Sequence, residues 1–218
     1  MYLRRLRIHY DFDRTDKHKY CYGRVQNPTV RILEDKIAAL EHGVGALAFA
    51  SGMAAATTAV LTACKAGSHV VCLHNAYGPL KDFLSKYCTE HLDITLTYVT
   101  GDSVEEFEEA VTDATDLIVL ESPSSVLFSL QDIRAVSRIA RKHQALVYID
   151  NTFCTPIYQQ PLDMGADIVM HTTCQVHWRT QRYHRRYAGS KGPGAHEEAD
   201  GPTGNFWAES WALWRHGS

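Results

Sequence analysis

Residues 117–150 read LIVLESPSSVLFSLQDIRAVSRIARKHQALVYID, and this stretch decides the fold. Residues 117–120 and 145–149 are apolar throughout, so each is a strand that needs cover on both faces. Between them, residues 131–143 set Ile133, Val136, Ile139 and Ala140 on one helical stripe. A buried strand, an amphipathic helix and a second buried strand make a crossover unit. The fold class is therefore α/β, a mainly parallel sheet flanked by helices.

The same alternation extends in both directions. Asn27-Pro28-Thr29 opens a helix with Thr29 as its N-cap. Leu33, Ile37 and Leu40 follow its apolar face, and Gly43 closes it. Residues 46–50 lead through Ser51-Gly52-Met53 into an Ala- and Thr-rich helix ending near Gly67. Residues 69–73 read as a strand, 79–90 as a helix and 94–99 as a strand. Ser103 with Glu106 three places on is a capping-box pattern. Residues 168–170 form a further buried strand.

Three of these strands run into an ionisable residue: Glu121, Asp150 and His171. Ligands of open α/β sheets bind outside the carboxyl ends of the strands. Asp150 there either faces a dry crevice and wants a cationic partner, or caps the turn Asp150-Asn151-Thr152. Ser51-Gly52-Met53 likewise has two readings, a helix start open to an anion or an ordinary tight turn. The sequence holds no Walker loop, no GxGxxG, no His/Cys metal cluster and no Gly-x-Ser-x-Gly elbow.

Composition narrows the partners. The 218 residues carry 22 basic and 25 acidic side chains, a formal charge of −3. That balance argues against a broad electrostatic grip on nucleic acid or an anionic membrane. No apolar run approaches the roughly 18–20 residues of a membrane span. The start, Met1-Tyr2-Leu3-Arg4-Arg5, does not open on a secretory apolar stretch. The six cysteines form no CxxC pair and read as reduced packing groups, so the expected compartment is cytoplasmic.

A break falls near residue 175. All four tryptophans (Trp178, Trp207, Trp211 and Trp214) lie beyond it, Val176 is the last Val or Ile, and Leu213 is the only later Leu. The segment shows neither helical nor strand periodicity and offers little aliphatic material for a core.

Taken in order, several motifs resemble one family. They are Tyr22-Gly23-Arg24, Asn27-Pro28-Thr29, Ser51-Gly52-Met53-Ala54-Ala55, Tyr77-Gly78, Glu121-Ser122-Pro123, Asp150-Asn151-Thr152-Phe153, Pro161-Leu162 and Gly165-Ala166-Asp167-Ile168-Val169. The series resembles the pyridoxal-phosphate (PLP) enzymes of cysteine and methionine metabolism, among them the cystathionine lyases and synthases and methionine γ-lyase. The resemblance implies an incomplete PLP-dependent transferase (aminotransferase type I-like) large domain at 19–175, preceded by a short segment at 1–18 and followed by a non-family tail at 176–218. It also implies a sulfur amino acid substrate and a homo-oligomer with active sites shared between subunits.

Residue roles follow from the same resemblance. Ser51, Gly52 and Met53 would cradle the cofactor's phosphate, and Tyr22 and Arg24 would reach the phosphate held by a neighbouring subunit. Tyr77 would stack on the pyridine ring, and Asp150 would pair with the protonated ring nitrogen. Thr172 falls where the family has a Ser or Thr on the phosphate, and Cys174 where it has a second hydroxyl. Ser125 replaces the family's usual Asn, which weakens one hydrogen bond to the cofactor.

The decisive departure is Gln175, which stands where the family has the Lys that holds PLP as a Schiff base. Gln forms no imine and shuttles no proton, and losing a positioned general base alone costs about 10²–10⁴-fold. The chain is therefore expected to be a catalytically defective carbon–sulfur lyase that binds PLP non-covalently at best. From Gln175 onward, permitted codons read one nucleotide later as Lys-Tyr-Ile-Gly-Gly-His-Ser-Asp, the family's continuation, so a shifted frame is the expected origin of the tail. Two alternatives stand beside this reading: a non-catalytic PLP-binding or subunit-pairing fragment, and a tail at 179–186 that contacts nucleic acid or a partner.

Overall fold

The computed structural model describes residues 27–172 and the backbone of 210–214. Its strands are β1 (Gly45–Phe49), β2 (His69–Leu73), β3 (Thr95–Val99), β4 (Thr115–Glu121), β5 (Leu146–Asp150), β6 (Ile168–Thr172) and β7 (Ser210–Trp214). They form one sheet in the order β1-β7-β6-β5-β4-β2-β3. The pairs β3–β2, β2–β4, β4–β5 and β5–β6 are parallel, and β7 runs antiparallel to both of its neighbours.

The crossover unit forms as its pattern dictates. Leu117, Ile118, Val119 and Leu120 on β4 and Val147, Tyr148 and Ile149 on β5 are wholly buried. The helix between them, α6 (Ile133–Lys142), turns Ile133, Val136, Ile139 and Ala140 onto the sheet, and Asp132 caps it by accepting the Ala135 N–H at 2.9 Å. On β1's side, α2 (Gly52–Ala63) presents Ala55, Ala56, Ala59 and Val60, all fully buried or nearly so. Small side chains let this helix lie close to the strands, which brings its N-terminus to the carboxyl edge of the sheet.

Local details depart from the sequence reading in instructive ways. The cap of α1 (Pro28–Leu40) is Asn27, not Thr29: the Asn27 side chain accepts the Thr29 N–H at 2.9 Å, and Pro28 takes the first helical position. α2 stops at Ala63 instead of running to Gly67. The helix after Tyr77 starts as α3 (Gly78–Asp82), passes through a π-helical turn at Phe83–Cys88 and ends as α4 (Thr89–Leu92). Ser103 caps α5 (Val104–Ala110), but the returning half of the capping box is displaced. The Glu106 carboxylate accepts from Thr100 N–H and O–H instead, at 2.7 and 2.6 Å.

The largest difference lies in the tail. The sequence reading assigned no strand beyond residue 175, yet Ser210–Trp214 pairs with β1 on one side and β6 on the other. Two open strand edges facing each other accept the backbone of any extended segment. Residues 211–214, Trp-Ala-Leu-Trp, are a short apolar run with strand-favouring aromatics. Periodicity over so few residues is invisible, whereas the empty place in the sheet is a tertiary feature. β6 is consequently an interior strand, and the sheet edges are β1 and β3.

Candidate functional site

Glu121 and Asp150 end the adjacent strands β4 and β5 and stand opposite each other in register. Asp150 takes the capping role among its sequence readings. Its carboxylate caps the following turn by accepting the Thr152 N–H at 3.0 Å, at the carboxyl end of β5. Burial pushes the Asp150 carboxyl above the ordinary Asp range, and hydrogen bonds from Thr152, followed by the nearby His171, act in the opposite direction. The Thr152 hydroxyl in turn accepts the Thr172 N–H at 2.9 Å, tying the end of β6 to the same turn.

Glu121 is 5% exposed. Burial pushes its carboxyl up to about 7; the Ser125 hydroxyl lowers it, Asp150 raises it, and the Tyr77 N–H lowers it. The donors are close: Ser125 O–H at 2.6 Å and Tyr77 N–H at 2.7 Å. Ser125, which the sequence reading took to weaken one hydrogen bond to the cofactor, thus has a partner of its own. Tyr77 is held by its backbone at the start of α3, with its ring partly exposed.

The start of α2 supplies the complementary charge. Ser51 is the N-cap, its hydroxyl oxygen accepting the Ala54 N–H at 3.1 Å. Helix geometry leaves the first N–H groups, at Gly52 and Met53, without intrahelical acceptors, and the helix dipole places partial positive charge there. α2 packs against β6 and β7. The start of α2 and the Asp150 carboxyl therefore both follow the carboxyl ends of strands of one sheet.

Among the sequence-predicted site residues, Ser51, Gly52, Met53, Tyr77, Asp150 and Thr172 fall on elements that meet at this end. Tyr22, Arg24, Cys174, Gln175 and the basic stretch 179–186 lie outside the described residues. Sequence reasoning missed Glu41, Gln159 and Asn75. Asn75 donates to Ser124 and Ser129 at 2.9 and 2.8 Å, bracing the loop after β4. Glu41 had a signal: an acid at a helix C-terminus opposes the dipole and is out of place unless paired.

Among the described residues, no group of three His, Cys, Asp or Glu side chains could hold a metal, and no helix is long and apolar enough to cross a membrane. Cys64, Cys72, Cys88 and Cys154 are free thiols. Burial pushes the Cys64 and Cys72 thiols up to about 12, which favours their protonated form.

Comparison with known proteins agrees with this geometry. A sequence profile described as Cys/Met metabolism PLP-dependent enzyme matches residues 6–175. Cystathionine beta-lyase MetC of Staphylococcus haemolyticus is 44% identical over 154 residues, covering 71% of this chain and 39% of the relative. L-methionine gamma-lyase of Pseudomonas putida is 41% identical over 151 residues, covering 69% of this chain and 38% of the relative. Among solved structures, metB from Corynebacterium glutamicum superposes with a TM-score of 0.75 at 30% identity, covering 92% of this chain and 46% of that one. The chain thus spans about two fifths of the length of these curated relatives. A matching profile over most of the chain and a shared fold agree: the chain belongs to the PLP-dependent enzyme family of Cys/Met metabolism.

Proposed function

We propose that this chain carries part of the cofactor site of a PLP-dependent carbon–sulfur lyase for sulfur amino acids, of the cystathionine or methionine γ-lyase kind, and that Gln175 leaves it without turnover. The observation that carries the reading is Asp150: a carboxyl raised by burial, at a strand end beside Glu121, in a protein whose family uses a cationic pyridine ring. The donor set fits that group. Gly52 and Met53 N–H groups with the Ser51 hydroxyl would hold the phosphate, the Thr172 hydroxyl would add a donor, and Tyr77 would cover the ring. Tyr22 and Arg24 would serve a neighbouring subunit's phosphate, and Cys174 would stand in the second hydroxyl position.

When bound, PLP supplies an electron sink through its protonated ring nitrogen. Asp150 would hold that proton in place, its carboxylate being fixed by the Thr152 N–H. Glu121 orients Tyr77 through the backbone and is itself fixed by Ser125. What the chain lacks is an amine at position 175 to hold the cofactor and move a proton.

Titration of the purified chain with PLP, followed by absorbance, tests the reading. Saturable binding is expected, borohydride should leave no adduct at Gln175, and Gln175→Lys should gain one. Absence of binding to both proteins would refute it.

One observation also favours pairing between subunits. Val126, Leu127, Leu130, Ile157 and Tyr158 are 71–86% exposed on loops and a short helix next to the site, and Phe128 packs edge-on against Phe153 with ring centres 5.2 Å apart. Apolar side chains grouped in this way mark an association surface. A homo-oligomer, or pairing with an intact relative, would cover them, and light scattering reads the outcome.

A further inference from the structure

The outer face of α6 carries a group of cations that the proposed function leaves unused. Arg134, Arg138 and Arg141 recur at i, i+4 and i+7, so they share one side of the helix, and all three are exposed. Elsewhere exposed cations find acids: Arg31 pairs with Asp35 at 2.9 Å and Lys86 with Asp82 at 3.1 Å. Among the described residues, none of the three α6 guanidinium groups has a carboxylate within ion-pair reach.

Beside them lies a hollow of about 240 Å³, whose walls include the three arginines, Ser137, Asp163 and Gly165. Gly165 follows the short helix Pro161–Met164 with φ +111°, and a Cβ there would lie 3.1 Å from Arg141 Nη2 and 3.2 Å from Ser137 Oγ. The missing side chain therefore lets Arg141 and Ser137 sit against the backbone in one wall. Ser137 is 2% exposed, and its hydroxyl has no hydrogen-bond partner. Buried hydroxyls in native proteins are nearly always partnered, so this one calls for an occupant that completes it. Asp163 is the acid in the walls, and it is engaged elsewhere. Its Oδ2 lies 2.8 Å from His42 Nδ1, while Arg134 Nη1 donates to its backbone carbonyl, not its carboxylate, at 3.2 Å.

We propose that this hollow is a binding site for a small phosphate-class anion, either inorganic phosphate or a compact phosphate ester, held by Arg134, Arg138 and Arg141. Guanidinium forks match phosphate oxygens in pairs, and a phosphate dianion has enough oxygens to serve more than one fork, which a carboxylate has not. The hollow is smaller than the roughly 300–1,000 Å³ that encloses a drug-sized ligand, so its occupant is small. The formal charge of −3 confines the attraction to this patch and disfavours an extended polyanion. None of the wall residues belongs to the proposed cofactor cradle at Ser51, Gly52 and Met53, so the inference does not rest on the cofactor reading.

Nitrogen NMR of the full chain tests the site, reading arginine side chains and backbone amides together. The probes are inorganic phosphate and, separately, glycerol phosphate, each at constant ionic strength. Saturable shifts of the Arg134, Arg138 and Arg141 Nε–H signals are expected with at least one probe, and the tighter of the two names the source of the phosphate. Replacing Arg138 and Arg141 together by Gln removes two charge-assisted partners and should weaken binding about tenfold or more. Both positions are exposed, and the amide spectrum verifies the variant's fold; should it not fold, the parent titration decides alone. Absence of shifts at the three arginines, shifts confined to the Gly52 and Met53 amides, shifts reproduced by chloride, or unchanged affinity in the folded double variant would overturn the proposal.

Discussion

Replacing Glu121 by Gln should stabilise the protein above neutral pH, because the native pocket favours the protonated carboxyl. Its carboxyl is pushed up to about 7, from an unfolded value of 4.5, chiefly by burial. Between those two values the native state holds a proton that the unfolded chain has released. Stability from this group is full below about 4.5, falls as pH rises, and is lost once pH passes about 7. At about 1.4 kcal/mol per pH unit, the loss amounts to about 3 kcal/mol. Gln has the shape to keep both bonds: its carbonyl oxygen accepts the Tyr77 N–H, and its amide donates to the Ser125 hydroxyl, which rotates to accept. Urea unfolding of the parent and Glu121→Gln from about pH 5 to about pH 8 reads the difference. The two should be close at the acidic end, with the variant gaining ground as pH rises and levelling off above about 7. Parallel stability curves, or a variant that is the weaker protein at the alkaline end, would refute the reasoning.

Three further outcomes follow from local geometry. Gly165 sits at φ +111°, where an added Cβ would meet the Ser137 Cβ at 2.9 Å and the Arg141 guanidinium at 3.1 Å; Gly165→Ala should cost about 1–3 kcal/mol, seen as a lowered melting temperature. Val126 is 86% exposed with φ +64°, a left-handed conformation that a β-branched residue resists, so Val126→Gly should raise the urea midpoint by about 0.5–1 kcal/mol equivalent. Asp150→Asn removes the carboxylate that would face the ring nitrogen, and PLP affinity by fluorescence titration should fall about tenfold or more.

Much of the frame was legible because its signals are local. The apolar runs at 69–73 and 117–120 mark β2 and the centre of β4, and the stripe of Ile133, Val136, Ile139 and Ala140 marks α6. A strand buried on both faces has no polar positions, and a surface helix has a period near 3.6, so neither needs a partner to be recognised. The helix caps were half legible. Asn27, Ser51 and Ser103 are all suitable residues, but whether a cap sits two places earlier, or whether Glu106 bonds Ser103 or Thr100, turns on backbone angles that composition does not encode.

The amino-acid sequence alone determined the alternation of strand and helix, the parallel sheet and the placing of Glu121, Asp150 and His171 at the carboxyl ends of strands. Tertiary structure decided the rest: the place of β7 between β1 and β6, the pairing of Glu121 with Tyr77 and Ser125, and the burial of Glu41 against His171 across 130 residues of chain. The physical reason is range. Hydrophobic periodicity and capping act over a few residues and leave a local trace, whereas the protonation of a buried acid depends on which distant groups the fold packs around it.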